Sequence, residues 1–285
     1  MNWTIQRTDP HACILAYDWT VFSGTEKALL LSDVHWDSAQ CDLKTLTRDL
    51  DKALESKSPV FIFGDFFDAM QGKWDPRSSQ SSLREEHRGG NYLDLLVDTS
   101  FEWLKKYAPV LALISPGNHE TSIQKRHEVN LIERLVALLR REGSPCILGT
   151  YWGFVGFSHR NGHKTAAVHS LHYHHGYGGG GEVTRGLIDH SRTRGMYSAD
   201  IYVSGHIHRR NYDENIITMM SSRGIVHQRQ QLFLRCASYK AETDGWHAER
   251  AGRRALSAAG GCNSRVLRTK MIGALFHRRR RHHRR

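Results

Sequence analysis

Five short apolar segments, each breaking abruptly into polar residues, set the architecture that this sequence can adopt. They are ALLLSDVHW (28–36), PVFIFGDFFD (59–68), PVLALISPGNHE (109–120), KTAAVHSLHYHHG (164–176) and ADIYVSGHIH (199–208). Each apolar run has the length of a strand and is too short for a typical helix. The sequence therefore predicts a sheet-based fold in which polar side chains gather where strands end.

Helical patterns separate the first three of these strands, and another follows the third. Leucines 43, 46, 50 and 54 recur at spacings of three and four in DLKTLTRDLDKALES (42–56). The segments YLDLLVDTSFEWLKKYA (92–108) and HEVNLIERLVALLRREG (127–143) show the same amphipathic pattern, and Gly143 followed by Pro145 closes the last one. Strands that alternate with helices predict a layered α/β fold whose sheet is at least partly parallel.

The remaining segments predict the rest of the domain. ILGTYWGFVGF (147–157) indicates shorter, aromatic-rich strands in an antiparallel portion, and the polar stretch 71–90 indicates a long loop over one face. No linker composition is found before about residue 245. We therefore expect one folded domain over 1–245 and a basic, disordered tail over 246–285.

The net charge of +11 belongs to that tail. Residues 250–285 hold 12 Lys or Arg and no acidic residue, which leaves 28 basic against 29 acidic residues before them. A tail ending in HRRRRHHRR can be a solvated extension, an arm attracted to nucleic acid or an anionic surface, or the product of a shifted reading frame. The net charge of the whole chain therefore says nothing about the folded domain, whose own net charge is close to zero.

Composition excludes several classes of protein. No segment approaches the roughly 18 uninterrupted apolar residues that a membrane span requires. The N-terminus lacks the basic-then-apolar pattern of a secretory leader, so we expect a cytoplasmic protein. The five scattered cysteines form neither a disulfide framework nor a CxxC metal motif.

Metal-ligand side chains follow all five strands. In open α/β sheets, sites form beyond the carboxyl ends of strands, where loops converge. The side chains are Asp33 and His35, then Asp65 and Asp68, then Asn118, His119 and Glu120, then His172, His174 and His175, and finally His206 and His208. A mixture of carboxylate, amide and imidazole ligands suits Mn, Fe or Zn better than Ca.

These motifs, Asp33-x-His35, Gly64-Asp65-x-x-Asp68, Gly117-Asn118-His119-Glu120, a later His and Gly205-His206-x-His208, resemble the signature of the calcineurin-like metallophosphoesterases. The resemblance covers about residues 28–210. It implies an α/β (α+β) fold in which two mixed β-sheets pack as a sandwich flanked by helices. The length and the HHGYGGGG stretch are similar to a poorly characterised bacterial and phage subgroup.

The resemblance also implies two divalent metal ions and their ligands. One ion would be held by Asp33, His35, Asp65 and His208, and the other by Asp65, Asn118, His206 and a histidine of the fourth segment. Asp65 would bridge the two. Both His174 and His175 fit the family pattern for the last ligand; we favour His174, with His172 on the same side of the strand as a third candidate.

The activity implied is hydrolysis of a phosphomonoester or phosphodiester, on a phosphorylated small molecule or a nucleotide, by attack of a metal-bridging hydroxide. His119 is the candidate general acid, and Asp68 is expected to orient it and favour its protonated form. The alternatives are a nuclease acting on DNA or RNA, with the tail supplying positive charge, and a non-catalytic scaffold.

Further residues are candidates for substrate contacts. The Gly-rich stretch 176–186 either cradles a phosphate or forms a mobile loop, and Arg185, Arg209 and Arg210 are candidate phosphate ligands. Trp36 and Trp74 can stack on a base, although packing is the favoured interpretation.

Overall fold

The computed structural model describes residues 2–18, 26–71, 78, 80–161, 164–178 and 187–241. The strands are β1 (Trp3–Asp9), β2 (Ala12–Asp18), β3 (Leu29–Leu31), β4 (Val60–Phe63), β5 (Leu111–Ser115), β6 (Ile147–Leu148), β7 (Trp152–Asn161), β8 (Lys164–His174), β9 (Ile201–Ser204), β10 (Asn211–Met220) and β11 (Val226–Arg235). The α-helices are α1 (Leu43–Glu55), α2 (Tyr92–Leu104), α3 (Asn118–His127), α4 (Leu131–Arg141) and α5 (Leu187–Met196). Among the described residues, 3-10 helices span Gln80–Ser82, Glu85–His87 and Lys105–Val110.

The described strands form two sheets. The smaller has the order β3-β4-β5-β6 and is parallel throughout, because helices provide the long crossovers between its strands. The larger has the order β1-β2-β7-β8-β9-β11-β10 and mixes parallel with antiparallel pairs. The predicted two-sheet sandwich flanked by helices is confirmed, and of its two sheets only the larger is mixed.

Two hydrophobic layers lie on either side of the smaller sheet. One packs that sheet against the larger one and contains Phe61, Phe63, Leu113, Leu171 and Val203. The other packs it against the helices, where the predicted leucine face of α1 lies in or against the core. Since both faces of β4 are covered, its four residues are all buried, as expected for a parallel central strand.

The predicted helix over 127–143 corresponds to α4, and its first residue, His127, is the last residue of a separate helix, α3. Glu128 adopts a left-handed conformation with φ of 57° and ends α3. Asn130 then begins α4, and its side chain accepts a hydrogen bond from the backbone of Glu133 at 3.1 Å. Helix α3 escaped prediction because Ile123 is its one buried apolar residue, so its sequence carries almost no amphipathic pattern.

Other segments also differ from the expectations. Within 147–157, β6 pairs in parallel with β5, whereas β7 pairs antiparallel with β8. The hairpin β1–β2 and the ribbon β10–β11 were not predicted. Among the described residues, no helix has the length and apolar character to cross a lipid bilayer. The predicted boundary at 245 and the basic tail lie outside the described residues.

Candidate metal centre

The polar residues after β3 and β4 meet because the two loops continue side by side beyond the strands. The backbone N–H of Asp33 donates to the carbonyl of Gly64 at 3.1 Å, and that of His35 donates to the carbonyl of Asp65 at 3.1 Å. The carboxyl ends of β5, β8 and β9 open onto the same edge. Side chains from all five predicted segments thus converge, as strand order suggested.

A first cluster combines Asp33, His35 and His208, whose ligand atoms lie within 4.8 Å of one another. The Nε2 atoms of His35 and His208 are 3.0 Å apart, and His208 Nε2 is 3.5 Å from Asp33 Oδ1. His35 Nδ1 lies 2.7 Å from Asp68 Oδ1. A carboxylate that accepts a hydrogen bond from the Nδ1–H group leaves the Nε2 lone pair for a metal, an arrangement that recurs around metal-binding histidines.

A second cluster combines Asp65, His175 and His206. His175 Nε2 is 3.0 Å from Asp65 Oδ2, while its Nδ1 donates to the carbonyl of Phe63 at 3.0 Å. The amide oxygen of Asn118 joins this cluster, since it lies 2.7 Å from His206 Nδ1 and 3.0 Å from His175 Nε2. Carboxylate, amide and imidazole groups therefore converge here too.

The two adjacent histidines of the fourth segment face different surroundings. His175 follows the last residue of β8, and the turn of the chain directs its ring into the second cluster. His174 Nδ1 accepts a hydrogen bond from the backbone of Gly176 at 2.9 Å, and its ring packs against Tyr151 and Tyr177. His174, the residue favoured from the sequence, therefore does not contact the second cluster. His172 lies on the outer face of the larger sheet, away from that cluster.

A third cluster combines His35, Asp68 and His119. His119 Nδ1 hydrogen-bonds the backbone carbonyl of Asp68, whereas the Asp68 carboxylate is 3.9 Å from the same nitrogen. That carboxylate is engaged by His35 instead. The structure thus brings Asp68 to His119, as expected, but it is the carbonyl that makes the hydrogen bond.

The buried carboxylates are held in their charged form by the histidines. Burial raises the pKa of Asp33, but the hydrogen bond and charge of His208 outweigh this and lower it. Burial also raises the pKa of Asp65, and the charges of His119 and His175 bring it well below the usual range. Burial lowers the pKa of His35 to about 4, against the opposing effect of Asp68, so that ring is neutral.

Backbone strain is concentrated at this edge of the sheet. Eight non-glycine residues have positive φ among the described residues. Five of them are candidate ligands, with φ between 48° and 69°: Asp33, His35, Asp65, His206 and His208. The left-handed conformation costs a non-glycine residue about 1–2 kcal/mol. Such clustering of strain is characteristic of functional sites.

Two glycines allow the loops to approach. A Cβ on Gly117 would collide with the Asp65 side chain, and one on Gly205 would collide with Ser32 and Asp33. Each glycine directly precedes a candidate ligand, Asn118 or His206. The Gly-Asn and Gly-His motifs thus serve close packing of loops as well as ligand placement.

Asp37 holds the loop that carries Asp68, a role not found from the sequence. Its buried carboxylate accepts hydrogen bonds from the backbone N–H groups of Asp68 at 2.6 Å and Ala69 at 3.1 Å. The hydroxyl of Tyr92 donates to it at 2.5 Å. In the sequence, the one sign of this role is that Asp37 lies shortly after the Asp33-x-His35 motif. Its hydrogen-bond partners are far away along the chain.

Glu120 and Lys240 also support the site. Glu120 is buried and accepts hydrogen bonds from the backbones of Phe67 and Gly117, both at 2.8 Å, thereby joining two loops. Burial and the charge of Asp65 raise the pKa of Glu120 to about 7. Lys240 donates to both carboxylate oxygens of Asp68 at 3.1 and 3.2 Å. Nothing in its sequence surroundings signals that contact.

The structure gives little support to the other residues predicted to contact substrate. Trp36 is buried and its indole N–H donates to Thr99 at 3.2 Å, so it is a packing residue. Arg209 and Arg210 follow the last candidate ligand and are partly to fully exposed. Trp74, Arg185 and most of the Gly-rich stretch lie outside the described residues.

The donor set fits a pair of borderline divalent ions. It consists of buried or nearly buried imidazole nitrogens and carboxylate and amide oxygens, with the free ring nitrogens of His35 and His175 selected by hydrogen bonds on their other side. Mixed nitrogen and oxygen ligands of this kind suit Mn, Fe or Zn. The three clusters are adjacent, since His35 belongs to the first and third and Asp65 lies 3.7 Å from His119.

Comparison with known families agrees with this geometry. The model of the calcineurin-like phosphoesterase family matches residues 27–210, well over half of the chain. A search among curated proteins found no relative. The matched residues include every cluster described above apart from the supporting Lys240, and the chain belongs to the calcineurin-like phosphoesterase family.

Proposed function

We propose that the chain hydrolyses phosphomonoesters or phosphodiesters with two divalent metal ions. Members of its family are generally phosphoester hydrolases, and the clusters suit a metal-dependent one. The observation that carries the proposal is the convergence of two ligand clusters with a further histidine, His119, beside both. A protein that had kept only the fold as a scaffold would have no reason to keep so many buried, strained polar groups together.

We assign the ligands as follows. Asp33, His35 and His208 would hold one ion, and Asn118, His175 and His206 the other, with Asp65 contributing to both. Two bound cations lower the pKa of a coordinated water and neutralise charge on the phosphoryl oxygens. The protein's part is to hold the buried carboxylates in place and to fix the rings of His35 and His175 so that their Nε2 atoms are free to bind metal.

His119 is the proposed general acid. Its Nδ1 is fixed by the carbonyl of Asp68, and its Nε2 faces the second cluster, 3.7 Å from Asp65 Oδ2. The side chain is 10 % exposed, so a substrate oxygen can reach it. An alkoxide is a poor leaving group, and a proton given from Nε2 to the departing oxygen assists its release.

Hydrolysis of two model substrates tests the activity. Metal-stripped protein is supplied with Mn, Zn or Fe and assayed with p-nitrophenyl phosphate and bis-p-nitrophenyl phosphate. We expect turnover that requires metal and is abolished in Asp65→Asn, with the exposed Asp98→Asn as the matched control. The ratio of the two rates separates monoesterase from diesterase activity. Folded protein without turnover under any metal contradicts the proposal for these substrates.

A further inference from the structure

A cavity lies between α5 and the outer face of the larger sheet, beside the candidate metal centre. Its volume is about 70 Å³, several times the roughly 15 Å³ that a single water requires. Its walls, which define what we call the α5 cavity, include His172, His190, Tyr197, Tyr202, Ser204 and Phe233. None of these residues has a role in the proposed hydrolysis.

Buried polar atoms in the wall of the α5 cavity have no hydrogen-bond partner among the described residues. Both ring nitrogens of His172 are unpaired, as are both of His190, although these residues are only 0 % and 6 % exposed. The hydroxyl of Ser204 is unpaired as well. Buried polar groups in native proteins are nearly always paired, so three such side chains around one cavity point to a ligand that pairs with them.

The two histidines offer both donors and acceptors. Burial lowers the pKa of His172 to about 3 and that of His190 to about 4, so both rings are neutral near pH 7. A neutral imidazole has one N–H donor and one acceptor nitrogen. The charged groups of the wall, Arg235 and Asp189, lie 3.9 Å apart as an ion pair, so their opposite charges largely cancel. The cavity therefore suits an uncharged group with several donors and acceptors.

Aromatic rings form the remainder of the wall and favour a flat occupant. Tyr197 stacks on His172 with centroids 4.0 Å apart, and Tyr202 stacks on Phe233 at 4.6 Å with an angle of 5°. The ring of His190 continues the stack on Phe233 at 5.4 Å. Sites for small organic ligands are lined mainly by hydrophobic and aromatic side chains with a few placed polar groups, and a flat aromatic ring can stack on such walls.

The α5 cavity shares a wall with the metal centre. Gly176 and Gly205 line it, and they directly follow and precede the candidate ligands His175 and His206. The two loops are joined by a hydrogen bond from the Gly205 N–H to the His175 carbonyl at 2.9 Å. The α5 cavity and the metal centre are therefore adjacent.

We propose that the α5 cavity binds the purine or pyrimidine base of a nucleotide, through the ring nitrogens of His172 and His190. The placement of that nucleotide's phosphoryl group at the metal centre rests on the proposed function, but binding of the base does not.

Calorimetric titration with nucleosides tests the base site, because a nucleoside has no phosphate to be hydrolysed. Adenosine and cytidine are titrated into metal-loaded wild type, His190→Leu and the exposed His227→Leu, with ribose 5-phosphate as the base-free probe. We expect at least one nucleoside to bind the wild type and His227→Leu equally, and His190→Leu about tenfold more weakly. Absence of nucleoside binding to the wild type, or equal binding to His190→Leu, overturns the proposal.

A second measurement needs no variant that disturbs α5. In the wild type, the bound nucleoside should shift the NMR signals of the His172 and His190 rings and leave that of His227 unchanged; unchanged signals at all three overturn the base site. Hydrolysis of p-nitrophenyl phosphate, which has no base, is followed in parallel. Turnover without nucleoside binding overturns the base site alone, and nucleoside binding without turnover overturns the proposed hydrolysis alone.

Discussion

At the scale of single residues, His119 is the one histidine of the three clusters to which no metal is assigned. Its backbone N–H donates to Asp65 at 3.0 Å and its ring is anchored on the carbonyl of Asp68. Removal of the ring therefore leaves every proposed ligand in place. Substitution of His119 can therefore show the effect of lost proton transfer while metal binding is kept.

We expect His119→Ala to keep its bound ions and to lose turnover by about 10²–10⁴-fold, the usual contribution of a general acid. Metal content and kcat are measured on the same preparation. The exposed His127→Ala, in the same helix α3, is the control and should behave as wild type. Retention of full activity by His119→Ala would assign the proton donor elsewhere.

Asp37 acts on the site through the loop it holds. An asparagine there has one acceptor oxygen, and its amide group would face the N–H donors of Asp68 and Ala69 or the hydroxyl of Tyr92. We expect Asp37→Asn to lower the free energy of unfolding by about 1–3 kcal/mol. Urea unfolding, with Asp98→Asn as the control, measures it, and equal stabilities would show that the loop is held by other contacts.

The ligand residues could be predicted because they follow apolar strands, and parallel strand ends converge. His175 could not be chosen over His174, since alternation along β8 describes the strand and His175 lies just beyond it. Asp37 and Lys240 were missed, and Glu120 was named only as a metal-type side chain, because these residues contact backbone groups or side chains far away in sequence. The hydrophobic pattern of the sequence does not indicate contacts of this kind.

At the scale of elements, α5 rests on the larger sheet through His190, whose ring stacks on Phe233. Burial, aided by the charge of Arg235 and opposed by that of Asp213, lowers its pKa to about 4. The unfolded chain, with a histidine pKa near 6.5, therefore binds more protons between these values. Stability contributed by neutral His190 is present above pH 6.5 and is lost as the pH falls toward 4.

Between pH 7 and 5 we expect the wild type to lose about 1–2 kcal/mol more stability than His190→Leu does, since leucine does not titrate. Urea unfolding at the two pH values gives this difference, and the metal centre contributes equally to both proteins. The exposed His227→Leu should lose as much as the wild type. The same pH dependence in His190→Leu and wild type would show that His190 is protonated in the folded protein.

Helices and strands were predictable to different degrees for physical reasons. Helices α1, α2 and α4 each bury one apolar face and were found, whereas α3 buries almost none. Ribbon β10–β11 extends beyond the sheet and leaves Ile216 and Met220 exposed, so its pattern does not mark a buried face.

At the scale of the whole molecule, the sheets and helices of the described residues and all candidate ligands lie before residue 242. We therefore propose a catalytic domain over 1–245 that is independent of the basic tail. A chain truncated after residue 250 should retain its metal-dependent phosphatase activity and its unfolding temperature within a few degrees. Activity and thermal unfolding, measured beside the full chain, check this; loss of folding would make the tail structural.

The central claim is that the chain holds two metal ions with one set of converging ligands. Elemental analysis of purified protein, loaded with Mn and freed of unbound ions, measures this most directly. We predict two ions per wild-type chain, two in His119→Ala, and fewer than two in both His208→Ala and His206→Ala, each with lost turnover. One ion or none in the active wild-type protein would contradict the account.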